Sequence, residues 1–374
     1  MPPRNELLTG GNRLKLGLFG ANCSSGRTYT TASERWEPSW QNNVRLAQIA
    51  DAAGLECMIP IARWKGYGGE SNPNGTSWES ITWAAGLLSA TQAINVFATV
   101  HVPLIHPVVA AKQMATVDQI GSGRFGLNVV CGWNDDEFEM FGVTKQEHEA
   151  RYEQGTEWWN IVTRIWAGGQ PFDFQGKHYD LRQVEGSPRP FGDEAPMMMN
   201  AGTSPAGRAF ALRFSNLHFD AVRFPEDSAE RVAGTKRQAA EAGRPLQVWT
   251  PIGVVCRPAQ REAEEFTQHV IDHADLGAIG HIVDLHEKDL HRRDDEGAFR
   301  RIGEGPIERQ VLARGNFCAI GDPDHVAAQL ARLHNVGFDG LALNFVNYLD
   351  DIDFFVQEVL PRLETMGLRS PHGG

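Results

Sequence analysis

Short apolar runs and longer amphipathic stretches alternate along most of this chain. Residues 15–20, 55–60, 94–102, 124–130, 195–201, 218–223, 246–256 and 340–345 read as strands. The run at 124–130 is short and nearly all apolar, as expected of a parallel strand covered on both faces. Between them, helical spacing predicts helices over 39–53, 79–90, 107–119, 147–166, 226–242, 259–276, 322–335 and 350–366, with another after 202–207. In the first of these, Val44, Leu46, Ala47, Ile49 and Ala50 fall at helical spacing and Gly54 closes the helix. Residues 167–195 read as a hairpin excursion with a Pro-rich return. Residues 278–316 are polar, charge-mixed and poorly periodic, which predicts a lid-like insertion within a single domain spanning 1–374. Eight strands alternating with helices over this length predict an α/β fold, a (β/α)8 TIM barrel with insertions. A doubly wound sheet would more often open on Gly-x-Gly-x-x-Gly after the first strand, and Gly20-Ala-Asn-Cys-Ser-Ser-Gly26 does not match it.

The stretch from Ile120 to Trp133 organises the rest. Gly121 and Gly123 make a turn, and the apolar strand that follows is interrupted by one polar side chain, Asn128. A buried amide must find partners, so Asn128 is either tied into the sheet or aimed at a ligand. The loop Cys131-Gly-Trp-Asn134 then leads into an acidic helical start, Asp135-Asp-Glu137. A barrel enzyme places its ligand-binding groups in this manner.

Composition narrows the function. The net charge is 35 − 47 = −12 and no Lys/Arg run stands out, so nucleic acid and anionic membrane surfaces are not expected partners. Five scattered cysteines without a CxxC pair point to a reducing compartment, without structural disulfides or zinc. No apolar stretch approaches the ~18 residues that a bilayer requires, and Met-Pro-Pro-Arg-Asn-Glu lacks the apolar core of a signal peptide. A cytoplasmic protein, assembled as a homo-oligomer, is expected.

The clearest ligand signal is Met199-Asn-Ala-Gly-Thr-Ser-Pro-Ala-Gly-Arg208. A strand end runs through Gly202 into Ser204 and Pro205, which suit the cap and first position of a helix. This is either a phosphate cradle or an ordinary capped helix. Arg151 and Tyr152, at the start of the long helix, could reach the same phosphate or belong to a solvated face. His269 and His273, and separately His281, His286 and His291, read as surface histidines rather than metal ligands, because no HExxH or third acidic ligand accompanies them. Trp158, Trp159 and Trp166 read as core. Aromatics including Trp64, Tyr67 and Trp133 are expected to line the mouth and to suit a flat ligand.

Taken in order, Ala110-Ala-Lys-Gln-Met-Ala-Thr-Val-Asp118, Gly123-Arg-Phe-Gly-Leu-Asn-Val-Val-Cys-Gly-Trp133, Glu149-Ala-Arg-Tyr152 and Asn200-Ala-Gly-Thr-Ser204 resemble the bacterial luciferase-like flavin-dependent monooxygenases. The similarity covers roughly residues 15–345 and is greatest to the pyrimidine and dimethylsulfone monooxygenase branch. The resemblance implies a TIM barrel that uses reduced FMN, supplied by a separate NAD(P)H:flavin reductase, and O2 to oxygenate a small N-heteroaromatic, amide or organosulfur compound. It also implies flavin contact at Ala62, Arg63, Asn128, Glu137, Arg151, Tyr152, Gly202 and Ser204, and oxygen positioning by Thr99 with Asn128. The pyrimidine enzymes carry Ile-Lys where this chain has Ala62-Arg63. The alternatives are a deazaflavin-dependent dehydrogenase on the same barrel, or a non-catalytic flavin-binding protein.

Overall fold

The computed structural model describes residues 6–291 and 305–371. Its strands are β1 (Lys15–Phe19), β2 (Cys57–Ile59), β3 (Asn95–His101), β4 (Phe125–Val130), β5 (Phe172–Gln175), β6 (Asp180–Val184), β7 (Met197–Asn200), β8 (Leu217–Phe219), β9 (Gln247–Cys256), β10 (Cys318–Gly321) and β11 (Gly340–Asn344). β1, β2, β3, β4, β7, β8, β9 and β11 pair in parallel and close into a ring. With helices around it, this is the (β/α)8 TIM barrel expected from the alternation. β5 and β6 form the separate antiparallel hairpin foreseen in 167–195.

Strand alternation sorts the side chains. Val96, Ala98 and Val100 of β3 and Phe125, Leu127 and Val129 of β4 join the large core between the strands and the outer helices. Cys57, Ile59, Phe97, Met197, Met199, Leu217, Phe219 and Trp249 make a second core inside the ring, with Leu7 of the turn Glu6–Thr9. Gln247, at the start of β9, donates to the Leu7 and Leu8 carbonyls, so this N-terminal turn plugs the barrel floor. Two bulky rings fit because their neighbours lack side chains. A Cβ on Gly126 would lie 2.5 Å from Phe97 Cε1, and one on Gly340 would fall within the Trp249 indole.

Two expectations require correction. Residues 318–321, unassigned from the sequence, form β10, which pairs with the upper part of β9 and adds a ninth strand to the sheet. The segment 278–316 is not irregular where described. Leu276–His291 and Ile307–Ala313 are helices, and residues 292–304 lie outside the described residues. Ala278, Ile282 and Leu285 form an apolar helical face that packs on Tyr29, Tyr67 and Trp133, so the first of these helices lies across the loops at the barrel mouth.

Gly340→Ala is expected to destabilise the protein by about 1–3 kcal/mol through overpacking, with recovery when Trp249 is also changed to Phe. Urea unfolding of the two variants measures this, and an unchanged midpoint for Gly340→Ala would mean that the interior yields at Trp249.

Candidate active site

β3 and β4 lie in register so that Thr99 and Asn128 are partners on the inner face of the barrel. Thr99 Oγ1 lies 2.8 Å from the Pro60 carbonyl at the end of β2. A carbonyl only accepts, so the Thr99 hydroxyl donates to it. Asn128 Nδ2 donates to Thr99 Oγ1 at 3.2 Å. This chain of donors fixes the amide orientation and leaves Asn128 Oδ1 buried without a partner among the described residues. An orphaned amide oxygen is costly to keep unless something else uses it.

A carboxylate ties together the loops above β2, β3 and β4. Glu137 sits in the helix Asp135–Met140, which Asn134 caps through Asp136 N–H. Its Oε1 accepts from Arg63 Nη1 and from Trp64 N–H, each at 2.9 Å, and its Oε2 lies 3.8 Å from His101 Nδ1. Burial pushes His101 down to about 4, against the pull of Glu137, so the imidazole is neutral at neutral pH. The Arg63 guanidinium also stands over the Tyr67 and Trp133 rings, 5.0 and 5.3 Å from their centroids.

Across the ring, the segment after β7 closes on itself. Asn200 Nδ2 donates to the Val129 carbonyl, and Asn200 Oδ1 accepts from Gly202 N–H. Ser204 caps the helix Pro205–Phe214 by accepting from Gly207 N–H at 3.1 Å. A Cβ on Gly202 would lie 2.5 Å from Tyr152 Oη and 2.7 Å from Gly207 Cα. Only glycine permits this approach of a tyrosine hydroxyl to a helix N-terminus, and that combination suits an anionic oxygen.

These groups meet around a cavity of about 320 Å3. Ala62, Arg63, Thr99, Asn128, Tyr152 and Gly202 line it, as does Trp133. Glu137, Arg151 and Ser204 stand behind the wall: Glu137 holds Arg63, Ser204 caps its helix, and Arg151 donates to the Gly132 carbonyl. Tyr67 is fully buried, whereas Trp64 is 45% exposed and turns outward onto Phe141. The expectation that Trp64 lines the mouth is therefore corrected.

The reading of His286 as a surface residue is also corrected, whereas His281 remains partly exposed. His281 Nδ1 lies 2.7 Å from the Tyr67 carbonyl, and His286 stacks on Trp133 at 4.5 Å and lines the cavity. The side chain of His291 lies outside the described residues. His269 and His273 pack ring against ring, and His269 lies 3.2 Å from Glu34 in an exposed pair. Among the described residues no group of three or more His, Cys, Asp or Glu side chains could hold a metal ion, and no helix is long and apolar enough to cross a membrane. Sequence reasoning missed Arg27 and Arg314, which also line the cavity. The polar loop 21–38 gave a general signal for the first, and nothing local singled out the second.

The luciferase-like monooxygenase family matches residues 14–340. The chain is 29% identical over 351 residues to an FMNH2-dependent dimethylsulfone monooxygenase of Pseudomonas fluorescens (strain Pf0-1), covering 93% of this chain and 94% of that one. It is 27% identical over 358 residues to the pyrimidine monooxygenase RutA of Escherichia coli O81 (strain ED1a), covering 94% and 92% respectively. Its fold matches the crystal structure of the long-chain alkane monooxygenase LadA with a TM-score of 0.83, at 18% identity, over 97% of this chain and 94% of that one.

Removing the Glu137 carboxylate would leave the Arg63 charge buried without its partner. Glu137→Ala is expected to cost about 3–5 kcal/mol of stability. Glu137→Gln should lose less, because an amide oxygen still accepts from Arg63 and Trp64. Denaturant unfolding separates the two, and equal losses would mean that the charge on Glu137 carries the whole effect and the retained acceptor contributes nothing.

Proposed function

Because the chain belongs to the luciferase-like monooxygenase family, we propose that it is an FMNH2-dependent monooxygenase, supplied with reduced FMN by a separate NAD(P)H:flavin reductase, that transfers one oxygen atom of O2 to a small N-heteroaromatic, amide or organosulfur compound. The activities named for the two monooxygenase relatives support this class of reaction. The observation that carries the reading is Asn128 Oδ1, which is buried at the cavity wall, oriented by Thr99 and Pro60, and without a partner among the described residues.

The residues fit the cofactor. An acceptor fixed at Asn128 suits a reduced isoalloxazine, whose ring edge carries N–H donors. Phe19, Trp133 and Phe219 on the lining offer flat apolar surface. Tyr152, Gly202 and the N-terminus of the helix Pro205–Phe214 would hold the phosphate, with Arg151 and Ser204 supporting them from behind. Ala62 and Arg63, clamped by Glu137, would hold the loop above β2 against the ring.

When bound, reduced flavin supplies the electrons that O2 needs. The chain supplies position and polarity. The Thr99 proton is committed to Pro60, so Thr99 acts by holding Asn128. The second N–H of Asn128 Nδ2 is then the donor available to negative charge developing on oxygen. His101, neutral and buried, adds no competing cation. The helix Leu276–His291, seated across the mouth, keeps water from the reacting atoms.

If Tyr152 and Gly202 hold a phosphate, FMN should bind about ten- to a hundredfold more tightly than riboflavin, the worth of one charged hydrogen bond. Gly202→Val should remove most of that difference. Fluorescence titration measures it, and equal affinity of the wild type for both flavins would sink the phosphate assignment.

Asn128→Ala should fold and bind FMN, yet oxygenate substrate about a hundredfold more slowly and divert reducing equivalents to hydrogen peroxide. Thr99→Val should do the same in part, by freeing the amide to rotate, and Thr99→Ser should behave as wild type. Product formed per NADH in the coupled assay gives the comparison. Wild-type yields in Asn128→Ala and Thr99→Val would exclude these residues from oxygen positioning.

A further inference from the structure

The cavity lining holds four arginines, Arg27, Arg63, Arg223 and Arg314, against one carboxylate, Glu287, among the described residues. Arg63 is neutralised by Glu137. Arg27 and Arg314 have no such partner: among the described residues neither forms an ion pair with a carboxylate.

Arg27 lies in the loop after β1 and is only 7% exposed. Its Nη2 donates to the Ala313 carbonyl at 3.2 Å, its guanidinium stands 4.9 Å over the Phe19 ring, and its Nε is buried without a partner among the described residues. Burial first, and then the nearby Arg314 charge, pulls it down to about 10, so it remains a cation at neutral pH. A buried guanidinium whose strongest charged neighbour is another guanidinium is unfavourable unless an anion joins them.

Arg314 is presented from the other side of the same mouth. It follows the helix Ile307–Ala313 in the left-handed region, at φ 53° and ψ 46°, where a residue other than glycine is held at a cost. Its guanidinium lies beside Tyr67 and Trp133, 5.2 and 5.5 Å from their centroids. Its Nη2 lies 2.7 Å from His286 Nε2, which accepts from a guanidinium only as neutral imidazole. That contact does not offset the arginine's charge, and among the described residues no carboxylate does.

The pair does not belong to the phosphate cradle. Arg27 follows β1, and Tyr152 and Gly202 meet beyond β7. In the ring order β1-β2-β3-β4-β7-β8-β9-β11 these two strands are diametrically opposite. We propose that Arg27 and Arg314 form an anion subsite for the substrate, so that the compound oxygenated carries a carboxylate or sulfonate group held by these two guanidiniums while its reacting atom faces Asn128. This inference rests on the flavin monooxygenase reading for the identity of the ligand as a substrate. Its physical content, an organic-anion site separate from the flavin phosphate, can be tested on its own.

The FMN-loaded protein is titrated with benzoate, with benzenesulfonate, and with the neutral benzamide and benzenesulfonamide, following the flavin absorbance. Each anion should bind at least about tenfold more tightly than its neutral counterpart, the worth of one charge-assisted hydrogen bond. Arg27→Met and Arg314→Gln should each bring anion and amide to within about threefold, while FMN affinity stays near the wild type. Whichever of benzoate and benzenesulfonate shows the larger preference identifies the acidic group. Equal binding of anions and amides by the wild type overturns the proposal, as does a preference that survives both substitutions. A parallel loss of FMN in the variants would also overturn it, because the arginines would then serve the flavin phosphate. Should the wild type not bind FMN, the flavin reading fails separately. The anion preference is then read by thermal shift of the flavin-free chain, where its loss in both variants supports the subsite and its retention overturns it.

Discussion

The mouth of this barrel is held together by the carboxylate of Glu137, buried where three loops converge. It accepts from Arg63 and Trp64 above β2, approaches His101 at the end of β3, and is itself carried by the helix that follows β4. A buried carboxylate and guanidinium are stable only as a hydrogen-bonded pair, so each loop is placed by the same ion pair. Arg63 then has one permitted position, over Tyr67 and Trp133, and the cavity wall takes its shape from that arrangement.

Below that rim, the barrel interior sets the floor of the site. Phe97, Trp249, Met197 and Met199 fill the ring, and the absence of side chains at Gly126 and Gly340 lets the rings in. The filled interior places Thr99 and Asn128, one step further up their strands, at the boundary between packed core and open cavity. A polar pair at that level is partly satisfied by the protein and partly left for a ligand. The donor chain from Asn128 through Thr99 to Pro60 determines which atom is left over.

The cavity is electrostatically divided. On the β7 side lie a helix terminus, a glycine approach and a tyrosine hydroxyl. On the side of β1 and β10 lie two guanidiniums without carboxylate partners among the described residues. Between them lie aromatic and aliphatic side chains. In the proposed reading, the two ends would each anchor the charged group of one ligand, and the two ligands would meet at Asn128.

Much of this was legible in the sequence, because strands, helices and caps are local. Eight apolar runs, the helical spacing between them, and Ser204-Pro205 after Gly202 specified the barrel and the capped helix, since periodicity and capping act within a few residues. Asn128 stood out as the one polar side chain in a buried strand, and Glu137 and Arg63 were legible only through resemblance. Tertiary structure decided the rest. β10 is four residues long and exists because the upper part of β9 needs a partner. The helix Leu276–His291 hides its apolar face among His, Asp and Glu, and only the loops at the mouth select that face. The amide of Asn128 is oriented by a carbonyl on another strand, and Arg27 reaches the carbonyl of Ala313, 286 residues further along the chain. Contacts between residues so far apart have no periodicity to reveal them. They are fixed only when closure of the ring brings the loops to one end.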